Sequence, residues 1–484
     1  MAWSQLAEAV WGRCNEKLRK SVLTISNKVR KSVIIADILA WEGFIILERK
    51  ALSQLAAWAT TRRKALLVTG TRQVGKSFLV SMFAQDTFSS VVSLDLLEDR
   101  ATRESLAAAT SADDLMLRIS IAARTPLVPQ QTVIIIDEVQ ECPNILTFVK
   151  YLVQNDSYRF ILTGSLSGAK LNNIDSLPVG YLTQIRMYPL DFEEFCWANG
   201  LSSVAVDMAR SCLRTETPLP DFLYTRLSDL YHRYLMVGGM PDAVNTFLET
   251  NNIDEVRAIH KNLHALYRSD ITKHTPKELR LTLRDIYDLI PSEAASKSRR
   301  FRISDIKGVR RFSQVQKHFL WLSHAGVALP VYNVSAPTSP LLLNERHNLF
   351  KLFYLDVGML ASSYPKKSYM GLLDGKPSMN MGGVYEAFVA QELKARGFAL
   401  RYFTSKRLGE LDFVVEMTGG EVLALEVKSG TGYRTHAALD NALAVSEYAI
   451  DQAIVLAETN IERAKSIRYL PIFMAGLLEH EERD

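Results

Sequence analysis

The chain has 484 residues, of which 48% are apolar and 23% are charged, and its formal net charge is +4 at pH 7. This composition is that of a folded protein with more than one hydrophobic core, which excludes a disordered or fibrous chain. The longest apolar runs are far shorter than the ~20 residues that cross a bilayer, so no membrane partner is expected.

The cysteines are few and widely separated. Cys14, Cys142, Cys196 and Cys212 form no CxxC pair, which argues against a zinc site or a disulfide framework. Reduced thiols are typical of a protein in the cytoplasm, and we therefore predict a cytoplasmic location.

The first segment, residues 1–43, carries seven basic and four acidic side chains among helix-forming residues. This pattern predicts a helical extension of uncertain role with a solvated basic face. An arm that contacts nucleic acid or a membrane surface stays open as the alternative.

Residues 44–230 alternate short apolar runs with longer amphipathic ones, which is typical of the strands and helices of an α/β parallel sheet. The predicted strands are apolar throughout rather than alternating, as expected where helices cover both faces of a sheet. They are Ala65–Thr69, Val91–Leu94, Thr132–Ile136 and Arg159–Thr163.

A GxxxxGK[ST] string follows the first of these strands and precedes a predicted helix, which is the context of a phosphate-binding P-loop. It consists of Gly70, Thr71, Arg72, Gln73, Val74, Gly75, Lys76 and Ser77. We expect Lys76 and the backbone amides to bind phosphates and the Ser77 hydroxyl to coordinate Mg²⁺. The string predicts ATP, or a closely related nucleoside triphosphate, together with Mg²⁺.

Two carboxylates, Asp137 and Glu138, follow the third apolar run. We expect Asp137 to hold the Mg²⁺ ion and Glu138 to orient or deprotonate the attacking water. Ser165 is the preferred sensor of the γ-phosphate, with Thr163 as the second choice. Arg186 is either an arginine finger or a surface ion pair. Together these residues predict ATP hydrolysis.

Residues 231–345 show a mainly helical pattern and contain a candidate helix-turn-helix. Ile303–Val309 is predicted as its first, short helix. Ser313 is expected to cap a second helix that runs to Ala325. A hairpin within Val327–Pro340 would complete a winged-helix-like region.

The same region concentrates basic side chains, with Asp305 as the acid among them. They are Lys297, Arg299, Arg300, Arg302, Lys307, Arg310, Arg311 and Lys317. This asymmetry is typical of a surface that binds a phosphate backbone, so DNA is predicted as a partner. The residues expected to face a groove are Gln314, Gln316, Lys317 and His318. A winged helix that packs domains together, with a solvated basic rim, is the alternative.

Residues 346–484 are predicted as a separate αβββαβ domain. Its elements are Val384–Arg396, Ala399–Phe403, Leu411–Glu416, Val422–Val427, a helix near Ala437–Tyr448, and Ala453–Leu456. A glycine turn at 418–420 would join the second and third strands. Pairing of these strands would bring Asp412 and Glu426 together, with Lys428 on the same face as Glu426.

Glu386 on the predicted helix is expected to point at the same spot. Three carboxylates and a lysine are typical of a metal-dependent phosphodiesterase, in which Asp412 and Glu426 would bind a second Mg²⁺ or Mn²⁺. The catalytic residues of this nuclease-like site would be Glu386, Asp412, Glu426 and Lys428. A structural ion pair of Lys428 with Glu426 or Asp412 is the alternative.

Seven motifs occur in order from about residue 45 to the end: GTRQVGKS, IIIDEVQ, LTGS, YPLDFEEF, GGMPDAV, FYLDVG, and ELDFVVE with LALEVKSG. This set resembles a prokaryotic family that joins an AAA-type P-loop ATPase to a C-terminal domain of unknown function with a PD-(D/E)xK nuclease-like fold. The resemblance implies nucleotide roles for the P-loop, Asp137, Glu138 and Ser165, and a nuclease-type pattern for the C-terminal carboxylates. Residues 1–43 depart from it.

The leading hypothesis is an ATPase whose nucleotide state controls a DNA-contacting C-terminal half. One alternative is an ATP-regulated, metal-dependent endonuclease. Another is a nucleotide-gated scaffold that binds a protein partner and does no DNA chemistry. Oligomerisation is compatible with each of them.

Overall fold

The computed structural model describes residues 46–61, 64–165, 180–275, 277–296, 298–373, 375, 381–430 and 432–480. The helical extension predicted for residues 1–43 lies outside this part of the chain, as do Cys14 and Lys297. Contacts group residues 48–484 into one unit. Within the described ranges, the helices include none that is both long and apolar enough to cross a membrane.

A five-stranded parallel sheet organises the first part of the chain. Its strands are β1 (Ala65–Gly70), β2 (Ser90–Asp95), β3 (Thr132–Asp137), β4 (Arg159–Gly164) and β5 (Leu182–Met187), in the order β2-β3-β4-β1-β5. The four strands predicted from the sequence are confirmed. The fifth is absent from the prediction because this edge strand buries only Ile185 and Met187, so its sequence lacks a continuous apolar run.

Helices precede and connect these strands. They are α1 (Ala51–Thr60), α2 (Lys76–Thr87), α3 (Arg100–Ala107), α4 (Ala112–Ala122) and α5 (Ile145–Asn155). Leu106, Leu115 and Leu146 of α3, α4 and α5 pack with Ile134 and Ile136 of β3 in one core. Because all five strands are parallel, their carboxyl ends share one edge of the sheet, where the loops after β1, β3 and β4 lie side by side.

A mainly helical region follows from residue 192, which lies within the range 44–230 predicted as the parallel-sheet domain. Its helices are α6 (Phe192–Ala198), α7 (Ser203–Thr215), α8 (Asp221–Val237), α9 (Pro241–Thr250), α10 (Ile253–His274), α11 (Lys277–Ala295) and α12 (Gln316–His324). The domain boundary expected at residue 230 falls within α8. The expected boundary therefore divides a continuous helix of the central region.

The predicted helix-turn-helix is formed only in part. Its first helix, Ile303–Val309, contains a single 3₁₀ turn at Ile303–Asp305, and its second begins as another 3₁₀ turn at Phe312–Gln314. Ser313 lies inside that second turn and does not cap α12, which starts after Val315 without a capping side chain. Short polar segments form few stable helical turns on their own, which accounts for the shorter helices.

Two mixed sheets contain the remaining strands. The four-stranded sheet has the order β7-β6-β8-β9, formed by β6 (Ala328–Val334), β7 (Glu345–Tyr354), β8 (Arg401–Ser405) and β9 (Gly409–Leu411). The five-stranded sheet has the order β10-β11-β12-β14-β13, formed by β10 (Phe413–Glu416), β11 (Val422–Lys428), β12 (Gln452–Ala457), β13 (Glu462–Ala464) and β14 (Ile467–Pro471). The helices that accompany them are α13 (Val357–Ser362), α14 (Lys366–Met370), α15 (Gly382–Ala395) and α16 (Ala437–Leu443).

These sheets differ from the predicted αβββαβ order. The predicted strand Leu411–Glu416 is divided at Asp412 into β9 and β10, which belong to different sheets. Asp412 Oδ2 accepts a hydrogen bond from the Val427 amide at 2.8 Å, so a side chain replaces a backbone acceptor at the break. The domain boundary expected at residue 345 falls at the first residue of β7, so it separates β7 from its partner strand β6, which also pairs with β8.

A buried polar junction joins the first part of the chain to α15. Asp191 and Glu194 form a capping box at the start of α6. The Phe192 amide in the same turn donates to Glu392 Oε1 of α15 at 3.0 Å. Burial, reinforced by the Asp191 carboxylate, raises the pKa of Glu392 to about 8. This carboxyl is therefore largely protonated at neutral pH.

Replacing Glu392 with Gln is expected to make the free energy of unfolding less sensitive to alkaline pH. A carboxyl whose pKa is raised by folding stabilises the folded state fully below its unfolded pKa, and this stabilisation is lost as the pH rises through the folded value of about 8. Urea unfolding at about pH 6 and about pH 9 should show a loss on the order of 2 kcal/mol in the wild type that Glu392→Gln lacks. The exposed control Glu249→Gln should keep the wild-type loss. Equal losses in wild type and Glu392→Gln would contradict this account.

Candidate functional site

The P-loop surrounds the N-terminus of α2 at the carboxyl edge of the parallel sheet. A Cβ on Gly70 would lie 2.4 Å from the Met187 carbonyl oxygen of the neighbouring strand, so only glycine fits at the end of β1. Gly75 has a φ of +83°, in the left-handed region that favours glycine, immediately before α2 begins at Lys76. The first N–H groups of α2 therefore face the space that the loop encloses, as anion binding requires.

The Lys76 ammonium is held inside the loop. It is buried and donates a hydrogen bond to the Thr71 carbonyl oxygen at 2.8 Å. Burial lowers the pKa of Lys76, and the carboxylates of Glu138 and Asp137 oppose this effect. A polyanion bound in the loop would offset the cost of keeping this ammonium charged away from water.

Ser77 and Asp137 are hydrogen-bonded to each other at the predicted Mg²⁺ position. The Asp137 carboxylate also accepts a hydrogen bond from the Thr163 hydroxyl on the adjacent strand β4. Burial raises the pKa of Asp137, the Ser77 hydrogen bond opposes the rise, and the Glu138 and Asp95 carboxylates add to it. Hydroxyl and carboxylate oxygens are ligands that Mg²⁺ prefers, so the residues present fit this ion.

Glu138 and Ser165 are joined by Gln140, a residue without a predicted role. Gln140 Nε2 donates to Glu138 Oε2 and also to Ser165 Oγ, the latter at 3.2 Å. Glu138 has a left-handed φ of +55°. This conformation costs a non-glycine residue about 1–3 kcal/mol and is typical of functional positions. The predicted base, Glu138, and the preferred sensor, Ser165, are thus hydrogen-bonded to the same side chain. In the sequence, the signal for this role was a glutamine two residues after the acidic pair.

Arg186 lies exposed on the edge strand β5, opposite Thr69 of β1 and at the same sheet edge as the P-loop. Its guanidinium lies 5.4 Å from the ring centroid of Tyr188. In the described part of the chain this aromatic contact, rather than an ion pair, holds the side chain. The arginine-finger role stays a prediction.

Helix α10 contacts the P-loop from the central region, through residues that have no predicted role. Tyr267 Oη donates to the Arg72 carbonyl oxygen at 3.2 Å. The Arg72 guanidinium pairs with the Asp270 carboxylate at 2.6 Å. A cavity of about 30 Å³ beside these residues is also lined by Ser165 and by Trp321 of α12. The loop that would bind phosphate is therefore in direct contact with the central helices.

The predicted C-terminal carboxylates do approach one another, but cations lie among them. Lys351 of β7 is fully buried, with its Nζ 3.1 Å from Glu386 Oε2 and 3.5 Å from Asp412 Oδ1. Arg299 forms ion pairs with the same two carboxylates. Lys351 has no predicted role because nothing near it in the sequence LFKLFY indicates a partner.

Glu426 and Lys428 form an ion pair at 2.7 Å, the structural alternative considered for them. Burial raises the pKa of Glu426 to about 7, with the Asp412 carboxylate adding to the rise. Within the described ranges, no group of three or more histidine, cysteine or carboxylate side chains is arranged to hold a metal ion. The second Mg²⁺ or Mn²⁺ predicted at Asp412 and Glu426 therefore has no support from the arrangement of these side chains.

The basic stretch separates into two sets. The residues that pair with carboxylates of the protein itself are Arg299, Arg300 and Arg302. Those that are exposed and form no ion pair among the described residues are Lys307, Arg310, Arg311 and Lys317. His318 was expected to face a groove, but it is buried, at 5% exposure, because it lies beside Phe319 on the inner side of α12. The surface accessible to a phosphate backbone is thus smaller than the sequence predicts.

Three segments of the chain match family models. Residues 62–196 match an AAA domain. Residues 228–368 match one domain of unknown function (DUF8612), and residues 381–473 match another (DUF4143). No curated protein matches the chain. The P-loop, the five-stranded parallel sheet and the first match define the N-terminal region as an AAA-type ATPase-like domain, a class that binds ATP.

Solved structures similar to this chain include the Walker-type ATPase of Pyrococcus abyssi, with 15% identity, a TM-score of 0.39, and coverage of 66% of this chain and 95% of that chain. Cdc6p from Pyrobaculum aerophilum has 14% identity, a TM-score of 0.24, and coverage of 67% and 93%. The RuvB Holliday junction branch migration motor of Thermotoga maritima has 12% identity, a TM-score of 0.25, and coverage of 58% and 89%. At these TM-scores, the class of the N-terminal region rests on its sheet and its family match.

Glu138→Gln is expected to keep ATP binding and to lower the turnover number about 10²–10⁴-fold, the usual contribution of a positioned general base. The amide preserves the size of the side chain but cannot accept a proton from water. ATP affinity by calorimetry and phosphate release at saturating ATP separate the two effects. Glu104→Gln, an exposed change of the same kind on α3, should behave as the wild type. Wild-type turnover in Glu138→Gln would exclude this residue as the base.

Proposed function

We propose that this protein is an ATP-hydrolysing switch of the AAA type, in which the nucleotide state controls a DNA-contacting C-terminal half. The observation that carries the proposal is the contact of α10 with the P-loop backbone at Arg72. A loop that closes on phosphates would change its carbonyl positions, and a helix bonded to one of those carbonyls would respond.

Hydrolysis is supported by the residues around the predicted phosphate position. Lys76 and the α2 amides would bind the β and γ phosphates, and Ser77 with Asp137 would hold Mg²⁺, which neutralises phosphate charge when bound. Glu138 would orient the attacking water and accept its proton, while Gln140 fixes the Glu138 carboxylate. A protein that only binds nucleotide does not require a carboxylate such as Glu138 held in this position.

The first link from the nucleotide to the rest of the chain is an ion pair. A triphosphate in the loop would bring negative charge close to the Arg72 guanidinium and would compete with Asp270 for it. Whether Tyr267 on the same helix keeps its hydrogen bond to the Arg72 carbonyl would then depend on whether the triphosphate is bound. Helix α10 is followed by α11 and then by the basic segment, so its displacement would reach residues 299–317 through α11.

The second link passes through Arg49. Its guanidinium donates to the Val74 carbonyl of the P-loop at 3.0 Å and to Glu194 at 3.1 Å. Glu194 belongs to the capping box of α6, whose Phe192 amide bonds Glu392 of α15. The P-loop is thus connected to the C-terminal half by buried polar contacts as well as through the central helices.

DNA contact is supported by a small exposed basic surface. Its members, on and before α12, are Lys307, Arg310, Arg311 and Lys317. Four cations on one short segment suit the spacing of backbone phosphates, and their binding would depend strongly on salt. A protein partner of acidic character is the alternative occupant of this surface.

Asp270→Asn with Tyr267→Phe is expected to uncouple DNA affinity from the nucleotide. In the wild type, a non-hydrolysable ATP analogue should change the affinity for a labelled duplex about fivefold or more, the lower end of usual allosteric coupling. The double variant should bind DNA with one affinity, with or without the analogue, as read by fluorescence anisotropy. The matched surface variant Asp207→Asn with Tyr151→Phe should retain coupling. Undiminished coupling in the α10 variant would place the link elsewhere.

Arg310→Ala with Arg311→Ala is expected to weaken duplex binding and to lower the slope of log affinity against log salt by about two, because two phosphate contacts are lost. Anisotropy titrations over a series of salt concentrations measure both quantities. Arg214→Ala with Lys261→Ala removes the same charge from α7 and α10 and should leave the slope unchanged. Equal slopes in the two double variants would remove this surface as the DNA contact.

A further inference from the structure

The place that a metal ion would take among the C-terminal carboxylates is filled by an ammonium. Lys351 Nζ lies 3.1 Å from Glu386 Oε2, 2.9 Å from Glu410 Oε1 and 3.5 Å from Asp412 Oδ1, and the side chain has no exposed surface. We infer that Lys351 and Arg299 replace a divalent metal in this cluster, which is a closed ion-paired lock and not a hydrolytic centre.

The carboxylate oxygens that a metal would need are already engaged. Glu386 contacts Arg299 with Oε1 and Lys351 with Oε2. Asp412 uses Oδ1 for the same two cations, and its Oδ2 accepts the Val427 amide at 2.8 Å. A divalent ion would have to displace two cations to reach Glu386, and two cations or a backbone hydrogen bond to reach Asp412.

The other two carboxylates of the cluster, Glu410 and Glu426, contribute one oxygen atom that has no partner among the described residues. Glu410 contacts Lys351 with Oε1 and Arg300 with Oε2, the latter at 3.3 Å. Glu426 uses Oε1 for Lys428, and its buried Oε2 has neither a hydrogen bond nor an ion pair among the described residues. Glu386 Oε1 also has no hydrogen bond there, but it is in ion-pair contact with the Arg299 guanidinium. Hard cations such as Mg²⁺ and Mn²⁺ require several oxygen ligands, so one atom does not make a site.

The cations are built into the fold. Lys351 is in the middle of β7, where it is paired with Val331 of β6, and its Nζ also lies 5.1 Å from the Tyr402 ring centroid. Arg299 follows α11 in a turn where its amide donates to Ser296 Oγ at 3.1 Å, with a left-handed φ of +50°. Both side chains are therefore directed into the cluster by local structure rather than by chance contact.

The ion-paired cluster has a consequence for catalysis. Metal-dependent cleavage of a phosphodiester needs a water activated by a metal with an open coordination position, and an ammonium or guanidinium supplies none. Its mechanical consequence is that the turn after α11, strand β7 and helix α15 are held by charge to β9 and to the break between β9 and β10. DNA reaching the C-terminal half would be held and not cut.

The test is Mn²⁺ binding to the full chain carrying Asp137→Asn, which removes the carboxylate ligand at the P-loop, in the absence of nucleotide. Free Mn²⁺ is measured by electron paramagnetic resonance. The expected result is no bound Mn²⁺ at millimolar concentrations. Uptake of one Mn²⁺ that disappears on adding Glu426→Gln would overturn the inference, as would Mn²⁺-dependent plasmid cleavage that the same change abolishes.

A second variant tests the replacement directly. Lys351→Gln with Arg299→Gln, added to Asp137→Asn, should gain one bound Mn²⁺ that Glu426→Gln removes again. The control Lys366→Gln with Arg346→Gln deletes the same charge from exposed positions and should gain none. A folded variant that lacks both cations and still takes up no Mn²⁺ would show that they do not stand in for a metal. If that variant does not fold, the measurement on the chain with intact cations still decides the question.

Discussion

The guanidinium of Arg49 bonds to two segments that are far apart in the sequence, the P-loop and the segment that runs from the end of β5 into α6. It donates to the Val74 carbonyl of the P-loop at 3.0 Å, to the Tyr188 carbonyl after β5 at 2.7 Å and to Glu194 of α6 at 3.1 Å. Loss of one partner from a buried ion pair costs about 3–5 kcal/mol, because the remaining charge stays away from water. Arg49 thus links the P-loop to the start of α6, and the ion pairs of Lys50 with Asp191 and of Arg396 with Glu193 add to the same junction.

Acidic side chains gather at two places in the protein and are neutralised in different ways. At the P-loop, Asp137 and Glu138 are only half-buried and face the buried Lys76 ammonium, so a polyanion and its cation can enter together. In the C-terminal cluster, Lys351 and Arg299 already occupy the space between the carboxylates. The same residue types thus support ligand binding at one place and cohesion at the other.

A feature could be predicted from the sequence when the residues that form it are close together in the chain. The P-loop, the strand before it and the doublet Asp137 and Glu138 are contiguous, and continuous apolar runs mark the buried strands. The C-terminal cluster depends on contacts between distant segments: Lys351 meets Glu386 across 35 residues. An apolar strand interrupted by Asp412 looks continuous in the sequence, although it is shared between two sheets. The roles of Tyr267 and Asp270 likewise require knowing which helix lies on the loop.

The pairing of β8 with β6 limits how the chain can be divided. A fragment beginning near residue 381, where one family match starts, would carry β8 without β6 and Glu386 without Lys351. Its open strand edge would invite aggregation, and its orphaned carboxylates would attract whatever cation the buffer contains. Metal affinity found in such a shortened protein would be created by the cut and would say nothing about the intact molecule.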